Sequence, residues 1–131
     1  RALTGVPDPL PDLRSLPPGR DAGALRERLA AELAAARVPA AKALDMLLAA
    51  TEVAANAWRY GGGPSELRVG RVDGRFVCEI SDNGPGFDDP LAGYIPPGPG
   101  ETASGLWIVR QLTWRQELFP SDRGFTVRLW L

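Results

Sequence analysis

Phe76-Val77-Cys78-Glu79-Ile80 alternates like a strand and runs directly into Ser81-Asp82-Asn83-Gly84-Pro85-Gly86-Phe87. The strand has to stop there, because Gly84 and Gly86 permit backbone angles that side chains forbid and Pro85 cannot donate to a ladder. Asp82 is therefore expected at the rim of a sheet, beside a turn with almost no side-chain bulk. A flat ligand could lie against such a rim. Ordinary turn chemistry by Asp and Gly accounts for the same heptapeptide. The rest of the chain has to decide between the two.

Upstream, residues 1–20 hold Pro7, Pro9, Pro11, Pro17 and Pro18 and read as Pro-rich, with Leu13–Leu16 fitting one short strand, and residues 1–15 are taken as a linker. Residues 16–131 read as the folded domain. Asp21 suits the N-cap of a helix over 22–37 with Leu25, Leu29 and Leu33 on one face. Pro39 opens a longer helix over 39–59, with Leu44, Leu47, Leu48 and Thr51 expected to point inward. Gly61-Gly62-Gly63-Pro64 ends it.

Strands over 65–72 and 75–82 pair across Asp73-Gly74, a dipeptide that favours a two-residue turn. Residues 88–103 are rich in Pro and Gly, too long for a simple connection and typical of a lid. Ser104 caps a helix in SGLWIVRQL, and strands over 114–119 and 124–131 close the chain. This order predicts an α+β fold: a two-layer α/β sandwich whose mixed, mostly antiparallel sheet carries helices on one face.

Composition removes several function classes. A net charge of -1 with no basic stripe argues against nucleic acid, and no apolar run reaches the length of a membrane span. Without a signal peptide the expected location is cytoplasmic. There is no histidine, so neither imidazole catalysis nor phosphorylation on histidine can occur within these residues. Lys42 is the only lysine and no Gly-rich loop precedes it, which rules out a P-loop. Cys78, the only cysteine, falls on the inner face of a strand and reads as a buried small hydrophobe.

Two further stretches carry chemistry. Glu52 and Asn56 stand four apart on the long helix, on one face, among alanines. A carboxylate and an amide oxygen one turn apart suit hard cations and proton transfer, as Mg²⁺-phosphate chemistry requires. Alone, the pair would read as a solvated helix face. Ser104-Gly105-Leu106-Trp107 opens a helix whose free N–H groups make a phosphate site without lysine.

Together the three stretches resemble the Bergerat-fold (GHKL) ATP-binding superfamily of gyrase and the histidine kinases. Glu52–Asn56 is similar to its N box, Asp82-Asn83-Gly84-Pro85-Gly86 to its first Gly box, and Ser104-Gly105-Leu106 to its second. Gly124-Phe125-Thr126-Val127 resembles the strand that closes the adenine pocket. The resemblance implies ATP and Mg²⁺ as cofactors. It makes Asp82 the adenine anchor, Asn56 the metal ligand and Glu52 the general base. Gly84 and Gly86 let backbone approach the nucleotide, Ser104, Gly105 and Leu106 hold phosphates, and Thr126 supports Asp82.

Within that superfamily the chain looks most like the anti-sigma-factor serine kinases, and TEVAANAWRYG and GLWIVRQL resemble actinobacterial members. The segment PLAGYIPPGPGETASGLW is also similar to the ATPase domain of regulators with an N-terminal MEDS sensory domain. The Met-less start at Arg1 fits a piece of something longer. The implied partners are an anti-sigma-factor antagonist, a sigma factor, or both. Homodimerisation is common in that branch, although no residue pattern marks a dimer surface. Three departures stand out: Ser104 where Gly is frequent, Tyr60 where His is frequent, and Phe125 where a small Thr or Ser is common. A non-catalytic module acting by protein contact, and the ATP-binding domain of a histidine kinase, remain alternatives.

Overall fold

The computed structural model describes residues 10–84, 105–121 and 124–131. Five strands form one sheet in the order β1-β2-β3-β5-β4: β1 (Arg14–Leu16), β2 (Pro64–Val72), β3 (Arg75–Asp82), β4 (Arg115–Ser121) and β5 (Gly124–Trp130). Every pairing among them is antiparallel. Three helices pack on one face: α1 (Ala22–Ala35), α2 (Ala40–Gly61) and α3 (Gly105–Leu112). The expected α+β sandwich is the observed architecture, and β3, which ends at Asp82, is its central strand.

Local chemistry sets each boundary. The Asp21 carboxylate accepts the Ala24 N–H at 2.8 Å and starts α1, and Leu25, Leu29 and Leu33 are fully buried beneath it. Each such leucine contributes about 2 kcal/mol by leaving water. α2 begins after Pro39 and ends at Gly62, whose φ of 76° is left-handed and whose N–H returns to the Ala57 carbonyl. Asp73 and Gly74 both take positive φ, 53° and 77°, as a type I′ turn requires.

Of the leucines expected on the inward face of α2, Leu47 packs against the core but Leu44 and Leu48 do not. Leu44 and Leu48 are 56% and 48% exposed, and the buried stripe is Met46, Ala49, Ala50, Val53, Ala54 and Ala57. Thr51 returns its hydroxyl to the Leu47 carbonyl at 2.7 Å. The reason is distance: small side chains let a helix axis come close to its neighbours, so alanine rather than leucine fills the contact. Met46 supplies the bulk where the gap widens.

Strand alternation, by contrast, falls as expected. Leu67, Val69, Phe76, Cys78, Ile80, Phe125, Val127 and Leu129 all face the helices and are buried. Burial pushes the Cys78 thiol up to about 12, with the neighbouring Glu79 charge adding to the effect. Leu13 is buried too and β1 starts at Arg14, so this part of the stretch read as linker packs against the sheet.

On the other face a row of polar side chains crosses the sheet in register: Ser15, Arg68, Glu79, Arg128 and Glu117. Glu79 takes Arg128 Nε at 2.6 Å and Arg68 Nη1 at 3.2 Å, and Trp130 Nε1 donates to Glu117 at 2.8 Å. Arg68 reaches further, donating to the Leu10 and Leu13 carbonyls and tying the incoming segment to β2. A slip of one residue would place like beside like or turn charges into the core, so this row fixes the register.

Candidate functional site

Asp82 occupies the last position of β3 and shares the parity of Phe76, Cys78 and Ile80, so its carboxylate faces the helix layer. It is only 8% exposed. Its Oδ1 accepts the Gly84 N–H at 2.8 Å, the turn that Asp-Asn-Gly makes with its own backbone. Among the described residues that is its one hydrogen-bond partner, which leaves the second oxygen for a ligand. Burial raises the carboxyl pKa above its ordinary 3.8, and the Gly84 N–H opposes the shift. A rim carboxylate in this setting is a strong, directional acceptor for an N–H donor on a flat ring.

Gly124, at the head of β5, is what brings the next strand against this rim. Its φ is 151°, and a β-carbon built there would stand 2.0 Å from the Asp82 carbonyl oxygen. No residue other than glycine fits. The signal for Gly124 in the sequence is a glycine that opens a strand expected beside Asp82.

Thr126 does not support Asp82. It stands opposite Ser81, their hydroxyls are 2.8 Å apart, and both point to the face of the sheet away from the helices. The residue across from Asp82 on the helix side is Phe125, 6% exposed. Strand alternation forces this: a residue adjacent to the partner of Asp82 must face the other way. The inward alternation of Phe125, Val127 and Leu129 places Thr126 on the outer face.

Glu52 and Asn56 lie half-buried near the C-terminal end of α2, at the edge of its buried stripe. Glu52 has no hydrogen bond or ion pair among the described residues. The Asn56 amide is incompletely used: Oδ1 takes Arg59 Nη1 at a long 3.5 Å, and Nδ2 is buried without a partner among the described residues. A buried amide nitrogen left alone costs about 1–3 kcal/mol, and such groups in a folded protein mark a missing ligand or a rearrangement. Turning the amide over would aim its oxygen where the orphan now sits, the orientation a cation needs.

Among the described residues no three His, Cys, Asp or Glu side chains converge to hold a metal alone. A hard cation at Asn56 therefore fits only if the ligand supplies further oxygens, as phosphates do. Gly84 sits at the rim with its N–H on Asp82. Gly105 and Leu106 form the first turn of α3. Gly86, Ser104 and the expected lid over 88–103 lie outside the described residues.

An acceptor carboxylate at the end of the central strand and a carboxylate–amide pair on α2 thus both belong to the side of the sheet that carries the helices. No curated protein matches the chain. A family model described as "Histidine kinase-like ATPase domain" matches residues 18–131, which span every helix and all strands but β1. The chain belongs to the histidine kinase-like ATPase family.

Proposed function

We propose that this ATPase-family domain is a Mg²⁺-ATP-dependent serine/threonine protein kinase of the anti-sigma-factor type, which phosphorylates an anti-sigma-factor antagonist. The observation that carries the reading is the Glu52–Asn56 pair: a carboxylate without a partner among the described residues, one turn before an amide whose buried nitrogen has none among them either. ATP is the ligand implied by the family, and Asp82 would accept from its 6-amino group. Guanine presents an acceptor at that position, so Asp82 disfavours it, by roughly 10⁴ for an unmatched buried polar site.

Asn56 would hold Mg²⁺, whose charge neutralises the phosphates when bound. Glu52 takes the proton from a serine or threonine hydroxyl. The hydroxyl oxygen bonds to the γ-phosphorus, the bond from that phosphorus to the bridging oxygen breaks, and the electron pair leaves with ADP. The N–H groups at the start of α3 suit phosphate oxygens. With no histidine in the 131 residues, a histidine-kinase reading needs an acceptor elsewhere.

The test is transfer of γ-labelled phosphate from ATP to a purified anti-sigma-factor antagonist. Acid-stable label on a serine or threonine, lost in Glu52→Gln while ATP affinity stays within about threefold, is the expected result. Normal ATP binding with no transfer would favour the non-catalytic module, and acid-labile label on a histidine would favour the histidine kinase.

A further inference from the structure

The residues paired with Asp82 form one row across the site end of the sheet. Pro64 stands opposite it on β2, Phe125 opposite it on β5, and Pro120 opposite Phe125 on β4. Directly opposed residues share a face, with β-carbons about 5 Å apart. The row on the helix side is therefore Pro64, Asp82, Phe125 and Pro120: one carboxylate among three hydrocarbon rings. Phe125 is 6% exposed and packs into the core cluster. Neither neighbour of Asp82 can solvate a charge, in keeping with the carboxyl pKa that burial raises.

The hydroxyls nearby are engaged elsewhere. Ser65 donates to the Ser81 carbonyl at 3.2 Å, and Ser81 and Thr126 meet at 2.8 Å on the outer face. Asn83, the next residue along the chain, is exposed. In the row that holds Asp82 the strands thus offer one side-chain acceptor and no side-chain donor.

Adenine carries its 6-amino group between two ring acceptors, N1 and N7. With the amine on Asp82, these flanking nitrogens fall toward the neighbours of Asp82 in the row. A phenyl ring or a pyrrolidine ring cannot donate to either of them.

We propose that Phe125, together with Pro64, restricts recognition of the base to its exocyclic amine, so that N1 and N7 meet hydrocarbon and are not read. Phe125 is then a specificity-determining residue of the nucleotide site. This deepens the reading of Asp82 as the adenine acceptor and rests on it. The purine is selected for what it donates and not for what its ring accepts.

The test is calorimetric titration of the whole chain with Mg²⁺ and four nucleotides: ATP, 1-deaza-ATP, 7-deaza-ATP and the triphosphate of unsubstituted purine riboside. Both deaza analogues are expected within about threefold of ATP or tighter, because each exchanges an unmatched acceptor for a C–H group. The analogue without the amine should lose roughly 100-fold or more. Phe125→Thr sets a hydroxyl beside Asp82 and should shift the ratio of ATP to deaza-ATP affinity by about threefold or more in favour of ATP. Phe125→Leu should keep the wild-type ratios. A purely structural Phe125 would change all affinities alike in both variants. A loss of about tenfold or more with either deaza analogue on the wild-type chain would overturn the proposal while leaving ATP on Asp82, as would unchanged ratios in a folded Phe125→Thr chain. The wild-type titrations decide even where that variant does not fold. Absence of ATP binding, or full binding of the analogue without the amine, would overturn the Asp82 reading and this proposal with it.

Discussion

Gly124 approaches Asp82 so closely that a β-carbon on the glycine would lie 2.0 Å from the aspartate's carbonyl oxygen. The strand that flanks the site and the carboxylate that defines it are thus locked together through backbone alone. Gly124→Ala should cost about 2 kcal/mol or more from strain and collision. It should also weaken ATP binding, because Asp82 must shift. Urea unfolding and nucleotide titration of the same variant check both effects.

Asp82 also sets stability against function. Its folded pKa is raised, so the native chain holds that proton more tightly than the unfolded chain does. The favourable contribution is complete below the ordinary value of 3.8 and is lost as pH rises through the raised one. At neutral pH the buried charge is a burden on the fold. Asp82→Asn should raise the melting temperature of the ligand-free chain at pH 7 and lower ATP affinity by about 100-fold or more. A lower melting temperature would mean that the carboxylate holds the turn in a way the amide cannot.

The buried row across the outer face makes a separate prediction. Glu79 and Arg128 are 5% and 4% exposed and 2.6 Å apart. Glu79→Ala removes the nearer of two carboxylates on a buried guanidinium, leaving Glu117 at 3.6 Å, and should cost about 3 kcal/mol in chemical denaturation. Replacing Glu79 and Arg128 together with apolar residues of similar volume should recover much of that loss, because no charge is then left buried.

α2 provides a test of its own face. Leu44→Glu and Leu48→Glu should change stability by no more than about 0.5 kcal/mol, as exposed substitutions do. Ala50→Leu, on the buried stripe, should cost about 1–3 kcal/mol through overpacking. Thermal melts of the three variants separate the two faces.

Much of the fold was legible because its signals are local. The leucines four apart in α1, the Asp73-Gly74 turn and the alternation of Phe76, Cys78 and Ile80 each follow from short-range geometry. The face of α2 was not legible, because its leucines are the most hydrophobic residues while its alanines make the closest contacts. Only the partner surfaces reveal that distance. Glu52 and Asn56 lie on α2 and Asp82 ends the central strand, placements that local pattern alone sets. Thr126 faces away from Asp82 because adjacent strand positions face opposite ways, and the residue across from Asp82 is set by the pairing of β3 with β5, two strands distant in sequence.

The central claim is that Asp82 anchors the adenine of ATP in a site completed by Mg²⁺. The most direct measurement is calorimetric titration of the chain with ATP and with GTP, each with and without Mg²⁺, repeated on Asp82→Ala. The expected result is Mg²⁺-strengthened binding that prefers ATP and disappears in the variant. Equal affinity for ATP and GTP, binding that survives Asp82→Ala, or no binding at millimolar nucleotide would contradict it.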